Sequence, residues 1–203
     1  MLTFSAKDLC TRGCMQLKYL MEHPEARQQP SAAVYYGERF QKAVANTIPN
    51  IVGQEMGGSY SNGRITINFS NDIVCKDDTI VEVKSVIGNA PDWYFHSSLL
   101  QCAFYKSLIM FGANNLRTSS FYVNEGHERI YHTIDIHRKF RYILVFGEEK
   151  YEITVNRPEQ IVGFFEYKGE CCENWELAKN WDFKYKQLEY NKLKSFFSYK
   201  PIF

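Results

Sequence analysis

The segment Asp72-Ile-Val-Cys-Lys-Asp-Asp-Thr-Ile-Val-Glu-Val-Lys84 decides the fold of this chain. Two runs rich in Ile and Val flank the turn residues Lys76-Asp77-Asp78, and this pattern predicts a β-hairpin whose second strand covers residues 79–86. Side chains two positions apart on a strand project to the same face, so Glu82 and Lys84 are expected to lie side by side. The apolar residues around them predict a central strand, which would bury this charged pair.

A buried carboxylate on a central strand needs a physical reason, and a divalent metal ion supplies one. Asp72 and Glu82 offer the hard oxygen ligands that Mg²⁺ and Mn²⁺ prefer, and Lys84 places a positive charge beside them. We therefore expect a metal site at this hairpin. A solvated strand face is the more common setting for a charged pair with this spacing, and it is the structural alternative.

The same residues resemble those of the PD-(D/E)XK nuclease superfamily. The matching residues are Glu55, Asp72 and the run Glu82-Val83-Lys84. Behind them, Gln101-Cys-Ala-Phe-Tyr105 forms a Gln-x-x-x-Tyr motif on the next predicted helix, where positions four apart share one face. This combination is similar to the RecB-like exonuclease branch, which is related to the CRISPR-associated iron–sulfur exonucleases. The likeness covers residues 5–112, about half of the chain.

The resemblance implies an α/β (α+β) fold with a restriction-endonuclease-like core, in which helices flank a central mixed β-sheet. With 203 residues, the chain is expected to form a single nuclease domain. Its expected parts are N-terminal helices in residues 1–50, the catalytic core in 51–112, additional strands including a β-hairpin in 113–168, and a C-terminal helical tail in 169–203.

Local patterns add four expectations to this fold. Ser5 is expected to cap a helix that runs to about residue 22, and Ser31 a second helix that runs to about residue 47. The first core strand, at residues 51–56, is expected to end at Gly57-Gly58. The next strand covers residues 64–69, and Asp72 follows it either past a bulge or at a bend into the site.

The resemblance also implies the chemistry, which is metal-dependent hydrolysis of a phosphodiester. One or two Mg²⁺ or Mn²⁺ ions would activate water and neutralise charge on the phosphate. The implied metal ligands are Glu55, Asp72, Glu82 and the Val83 carbonyl. The implied catalytic residues are Asp72, Glu82, Lys84, Gln101 and Tyr105, with Lys84 positioning the attacking water, Gln101 holding Lys84 or that water, and Tyr105 contacting a phosphate oxygen.

The expected substrate is nucleic acid, and the resemblance favours DNA that is cut as single strands or from ends. Two alternatives stay open: a structure- or sequence-specific endonuclease on the same core, and a catalytically inactive protein that binds nucleic acid. Charged side chains in the second half of the chain could form a backbone-tracking groove or a solvated face. They are Arg138, Lys139, Arg141, Lys184, Lys186, Lys192 and Lys194.

One position departs from the family pattern. Gln41 stands close to the place where these exonucleases usually have a histidine, after the run Tyr36-Gly-Glu-Arg-Phe-Gln41. Glutamine offers an amide instead of an imidazole, so a direct metal contact is not expected from it. A solvated polar residue on the helix and a role in the site are both compatible with the sequence.

The six cysteines leave a second cofactor open. Cluster-bearing relatives have one cysteine before the core and three after it, whereas this chain has Cys14, with Cys10 nearby, and only Cys171 and Cys172. Adjacent cysteines rarely both ligate one cubane, so separate buried thiols are the main expectation and a [4Fe–4S] cluster on these four residues is the alternative.

Bulk composition limits the other classes of function. The formal net charge of +1 excludes a uniformly basic surface and still allows a local basic groove. The sequence predicts no transmembrane segment and no signal peptide, so we expect an intracellular protein of the cytoplasm or nucleoid, without disulfides. Three histidines five residues apart, His127, His132 and His137, fall on alternating strand faces and are expected to be ordinary surface or edge residues.

Overall fold

A mixed β-sheet of nine strands forms the centre of the fold among the residues that the structure describes. The computed structural model describes residues 2–23, 26, 32–122, 126–170 and 183–189, with only the backbone at 119–122 and 126–128. The strands are β1 (Leu2–Ser5), β2 (Ile51–Ser61), β3 (Ile65–Cys75), β4 (Thr79–Lys84), β5 (Asn115–Tyr122), β6 (Gly126–Thr133), β7 (Arg141–Phe146), β8 (Glu149–Val155) and β9 (Phe183–Leu188).

The sheet has the order β6-β5-β2-β3-β4-β7-β8-β9, with β1 paired to β3. The β1–β3 and β4–β7 pairs are parallel and the remaining pairs are antiparallel. The β3–β4 hairpin therefore lies at the middle of the sheet, and strands shield it on both sides. A central position of this kind buries both faces of β4, as its Ile- and Val-rich sequence predicts.

Five helices cover the sheet within the described residues. They are α1 (Ala6–Thr11), α2 (Cys14–Glu22), α3 (Ala32–Ala45), α4 (Asp92–Met110) and α5 (Pro158–Glu170). The buried side chains of α4 pack on one face of the sheet, against Ile80 of β4 and Tyr142 of β7, whereas Phe40 of α3 packs on the other face, against Val81 and Val83. This arrangement confirms the predicted α+β class, with helices flanking a central mixed sheet. None of the helices described is long and apolar enough to cross a membrane.

The N-terminal helix differs from its prediction. Ser5 ends β1 and is the N-cap residue of α1, as expected, although its side chain makes no capping bond. The expected single helix is two helices separated at Arg12, whose backbone is extended. A buried ammonium stabilises this break, because Lys168 of α5 donates hydrogen bonds to the carbonyls of Leu9 and Arg12. The second helix is close to its predicted bounds, at Ala32–Ala45.

The expectation that Gly57-Gly58 ends the first core strand is wrong. β2 continues through both glycines, and its antiparallel register with β3 extends to the pair Ser61–Thr66. Gly58 is required by packing instead, since a Cβ there would lie 2.6 Å from the Phe69 ring. Gly58 thus marks a close approach between a side chain and the backbone inside the strand.

Asp72 lies within β3, which continues to Cys75, so the strand does not end before the site. Ile67 and Phe69 pack in the core cluster of α4, whereas Ile73 packs in the cluster of α3, although all three positions are odd-numbered. The alternation of faces therefore shifts between Phe69 and Ile73. Opposite this point, Glu55 of β2 has a φ of 52°, which a non-glycine residue adopts only at a cost. The irregularity lies at Glu55 and Asp72, where the site was predicted.

The predicted helical tail at 169–203 is wrong for residues 183–188. They form β9, which pairs antiparallel with β8 at the edge of the sheet. Lys184 and Lys186 are exposed on this edge strand, where charged side chains discourage pairing with another chain. The prediction of a helix fails here because aromatic and charged residues alternate in Phe-Lys-Tyr-Lys, and this pattern fits a strand equally well. Residues 171–182 and 190–203 lie outside the described part of the chain.

Candidate active site

The β3–β4 hairpin brings the two predicted carboxylates together. Ile73 pairs with Val81, which places Asp72 and Glu82 opposite each other one position further along. The Val83 amide donates a hydrogen bond to Asp72 Oδ2 at 2.6 Å. Asp72 is thus held beside Glu82 by the ladder and by its own side chain, and the hairpin predicted from the sequence is confirmed at this point.

Glu82 has two different carboxylate oxygens. Its Oε1 accepts hydrogen bonds from Lys84 Nζ at 2.7 Å and from Gln101 Nε2 of α4 at 2.8 Å. Its Oε2 is buried and has no hydrogen-bond partner among the described residues, and the residue as a whole is 2% exposed. A buried carboxylate oxygen without a partner is costly, and such an atom in a native fold calls for an explanation.

The electrostatics of this cluster reflect its burial. Burial and the nearby Glu82 raise the pKa of Asp72 well above its usual range, and Lys84 and the Val83 amide only partly oppose them. Burial also disfavours the charged form of Lys84, but Glu82 and Asp72 outweigh it and raise the pKa of that lysine. The cluster therefore holds two acids and one lysine, so its acids are only partly compensated.

A cavity of about 360 Å³ opens onto the cluster. Tyr105 and Gln101 lie one helical turn apart on α4, and both line this cavity, as the Gln-x-x-x-Tyr motif predicts. The Tyr105 ring packs against Phe69 at 5.4 Å between centroids, and burial raises the pKa of its hydroxyl well above the usual range. The residues of this site cavity are Ser5, Lys7, Glu55, Asn68, Phe69, Ser70, Asp72, Glu82, Lys84, Gln101 and Tyr105.

Glu55 borders the same cavity and is fixed by a residue from α3. Gln41 Nε2 donates a hydrogen bond to Glu55 Oε1 at 2.8 Å, and Ser70 Oγ lies 3.5 Å from Glu55 Oε2. Gln41, where the sequence differs from the family that it resembles, therefore has a partner in the site and is not itself expected to be a metal ligand. Gln41 orients the carboxylate of Glu55, an acid of the candidate site.

The donor set fits a divalent cation bound mainly by two acids. Within the described ranges, no three Asp, Glu, His or Cys side chains are grouped closely enough to hold a metal ion as they stand. Asp72 and Glu82 are adjacent, and the unpartnered Glu82 Oε2 is the kind of oxygen that a hard cation binds. A cation there would also compensate the acids. The remaining positions in the shell of Mg²⁺ or Mn²⁺ would be filled by water, as is usual for Mg²⁺.

A second, larger cavity of about 690 Å³ adjoins the first, and Glu55, Asn68 and Phe69 line both. Two arginines and one exposed tyrosine border it, and the sequence prediction missed all three. Each is surrounded by ordinary strand residues, and only the strand register brings them together. Its lining consists of Glu55, Gly57, Gly58, Ser59, Asn68, Phe69, Asn115, Arg117, Thr118, Arg129 and Tyr131.

Of the basic residues proposed from the sequence, those that the structure describes border neither cavity. Arg141 forms a bidentate pair with Glu152 of β8, at 2.8 and 3.2 Å, and Arg138 lies 3.6 Å from Asp135. Lys139 is exposed, and Lys184 and Lys186 lie on the edge strand β9. Lys192 and Lys194 lie outside the described residues.

The histidines are not all ordinary surface residues. His132 Nε2 lies 2.9 Å from Asp78 Oδ1, and the side chain of His132 is only 19% exposed. This contact ties β6 to the turn of the β3–β4 hairpin, where Asp78 has a φ of 60°. His132 thus lies on an edge strand, as expected, but it is a partly buried, paired residue and not a surface one. His137 is exposed as expected, and the side chain of His127 lies outside the description.

The cysteines divide into three groups. Cys75 and Cys102 are buried thiols, as expected, and Cys10 is a free thiol whose pKa is raised by burial. Cys14 is disulfide-bonded, so the expectation that every cysteine is a thiol or a metal ligand is wrong for this residue. Cys171 and Cys172 lie outside the described residues, and the iron–sulfur alternative remains a prediction.

Comparison with known proteins supports the fold and gives no information on the function. No family model matches the chain, and no curated protein matches it. The chain is similar to the crystal structure of SSO0001, with a TM-score of 0.51 and 14% sequence identity. The similarity covers 86% of this chain and 78% of that one. At this identity the likeness shows a shared fold alone.

Proposed function

We propose that this protein is a metal-dependent nuclease of the PD-(D/E)XK superfamily that hydrolyses phosphodiester bonds, with DNA single strands or ends as its substrate. The observation that carries the proposal is the Glu82 carboxylate: one oxygen receives Lys84 and Gln101, and the other is buried without a partner beside Asp72. A bound cation accounts for this asymmetry, and the opening of the cavity onto the cluster gives a phosphate access to it.

The chain's own residues divide the work of the reaction. Asp72, Glu82 and the Val83 carbonyl would hold Mg²⁺ or Mn²⁺, with Glu55 acting directly or through water; the metal supplies an activated water and charge neutralisation at the phosphate. Lys84 would supply a positive charge beside the phosphate, and the contact with Glu82, which helps to raise the pKa of this lysine, favours its ammonium form.

Gln101 has a narrower role than the sequence suggested. It donates to Glu82 Oε1, the oxygen that also receives Lys84, and so fixes the rotamer of that carboxylate. The free Oε2 is thereby turned toward any bound cation. Tyr105 lines the cavity one turn further along α4, in a position to contact a phosphate oxygen.

The test is incubation of end-labelled DNA with Mn²⁺ and the purified protein. The proposal predicts cleavage that requires the metal, removes nucleotides from linear DNA and leaves closed circular DNA intact. Labelling the 5′ and 3′ ends separately gives the polarity. Cleavage of closed circles would favour the endonuclease alternative, and binding without cleavage of any labelled strand would contradict the nuclease proposal.

A further inference from the structure

The second cavity lies on a sheet face that leads directly away from the candidate active site. Strand register places Ser70, Gly57, Arg117 and Tyr131 in one row across β3, β2, β5 and β6. Ser70 lines the site cavity. Neighbouring strands lie about 4.8 Å apart, so the row carries the surface roughly 14 Å from the site to Tyr131.

The side chains on this row suit a phosphate backbone. Arg117 and Arg129 are exposed, and neither guanidinium group has a hydrogen-bond or ion-pair partner among the residues described. Ser119 pairs with Arg129 two positions beyond the Arg117–Tyr131 pair, so both arginines project from the same face. This differs from Arg141, whose guanidinium is already bound by Glu152.

The cavity reaches the backbone of the sheet at Gly57. Gly57 has no side chain between Ser70 and Arg117, and a Cβ there would meet backbone oxygens only at 3.4 and 3.8 Å. A ligand backbone can therefore approach the sheet closely at this point. At the far end, Tyr131 is 58% exposed, which leaves its ring available for stacking.

We propose that this arginine–tyrosine face, formed by Gly57, Ser59, Asn68, Arg117, Arg129 and Tyr131, binds the continuation of a nucleic-acid single strand whose scissile phosphate lies at Asp72 and Glu82. Arg117 and Arg129 contact backbone phosphates, and Tyr131 stacks on a base. The strand is single because only an unpaired base exposes a face to the ring. The inference rests on the proposed function for the position of the scissile phosphate, and its binding step stands without hydrolysis.

The experiment measures fluorescence anisotropy of labelled oligothymidylate, oligouridylate and a duplex, without divalent metal, over a series of KCl concentrations. Each single-strand phosphate contact contributes roughly 0.7 to the slope of log affinity against log salt, so Arg117→Ala with Arg129→Ala should reduce it by about 1.4. Tyr131→Ala should weaken binding roughly fivefold or more, and Tyr131→Phe should keep it, because stacking needs only the ring. The two single strands distinguish DNA from RNA at the same face.

The matched controls are Arg138→Ala and Tyr35→Ala, which remove an exposed side chain of the same type outside both cavities. Both should bind like the wild type, and thermal unfolding should show that every variant is folded. An unchanged salt slope in the Arg117 and Arg129 variant would overturn the proposal, as would an equal loss in Arg138→Ala or duplex binding as tight as single-strand binding.

This design separates the two proposals. If the wild type binds single strands through Arg117 and Arg129 but cuts none of them with Mn²⁺, the arginine–tyrosine face is supported and the nuclease proposal is contradicted. If the wild type cuts single strands, and the arginine variant binds and cuts them equally well, the nuclease proposal stands and the face is overturned.

Discussion

The two adjoining cavities share Glu55, Asn68 and Phe69 but differ in how they treat charge. The site cavity largely buries Asp72, Glu82 and Lys84 and holds them with short hydrogen bonds. The arginine–tyrosine face instead leaves its two arginines exposed, with no side-chain partner among the residues that the structure describes. Buried charge provides fixed electrostatics for chemistry, and exposed charge provides affinity that responds to salt. If both proposals hold, one sheet would separate the reaction from the binding of its substrate.

The largest expected effect is on the reaction itself. Lys84→Ala removes the positive charge beside the phosphate and should slow cleavage of a labelled oligonucleotide by about 100- to 1,000-fold, the usual cost of removing one group that stabilises a transition state. Binding to the arginine–tyrosine face should remain. The control is Lys106→Ala on α4, whose ammonium donates to the carbonyls of Phe140 and Ile153 outside both cavities. Cleavage by Lys84→Ala at the wild-type rate would contradict the assignment of the reaction to the site cavity.

Metal binding should distinguish the cavities without any measurement of activity. Mn²⁺ at about 100 times its dissociation constant should raise the free energy of unfolding by roughly 2.7 kcal/mol, because only the folded site binds it. Glu82→Gln should lose most of this gain, and Glu152→Gln, on β8 outside both cavities, should keep it. Thermal unfolding with and without Mn²⁺ measures both. Equal stabilisation of the two variants would place the cation elsewhere.

Phe69 lines both cavities, and its close packing can be tested at Gly58. Gly58→Ala drives a Cβ to within 2.6 Å of the Phe69 ring and should lower the free energy of unfolding by about 1–3 kcal/mol, as overpacking does. Gly163→Ala on α5 meets nothing within 4 Å and should stabilise slightly. Urea unfolding compares them. If Gly58→Ala were as stable as wild type, close packing would not be the reason for this glycine.

Gln41 tests whether orientation of an acid matters to the reaction. Gln41→Ala frees the Glu55 carboxylate and should reduce metal-dependent cleavage about tenfold, the lower end of the range for residues that hold a metal site from outside. Gln41→Glu places a second acid against Glu55 and should cost more. Binding of single strands should be unchanged in both. A wild-type cleavage rate in Gln41→Ala would assign this residue to the helix surface alone.

The smallest expected effect comes from an ion pair outside both cavities. The hydrogen bond from Arg141 lowers the pKa of Glu152, so the pair stabilises the fold above the ordinary glutamate pKa, and this contribution is lost as pH falls through the lowered value. Arg141 is half exposed, which limits the effect to about 0.5 kcal/mol. Glu152→Gln should lower the free energy of unfolding by more at about pH 7 than at about pH 3. Equal losses at both pH values would contradict the assignment.

Local sequence could predict that these candidate residues lie together, because most of them are close along the chain. The hairpin from Asp72 to Lys84 follows from turn residues and alternation, and Gln101 and Tyr105 follow from helical spacing. The break at Arg12 and the strand at residues 183–188 could not be predicted in this way, because the first depends on Lys168 from a distant helix and the second on pairing with β8. Propensity describes a segment alone, and tertiary contacts decided both cases.

The arginine–tyrosine face is the clearest case of information that a single sequence does not carry. Arg117 and Tyr131 become neighbours through the β5–β6 register, and Gly57 joins them only because β2 pairs with β5. Gln41 and Glu55 likewise meet across a helix and a strand. The acids of the site were recognisable by their burial in apolar runs, and these exposed or bridging residues had no such signal.

The most direct test of the central claim is anomalous diffraction from a crystal soaked in Mn²⁺. The account predicts a peak bound by Asp72 and by Glu82 Oε2, the oxygen that has no partner among the described residues, with Lys84 and Gln101 still on Oε1. Manganese density only at other residues, with Glu82 Oε2 unliganded, would contradict it.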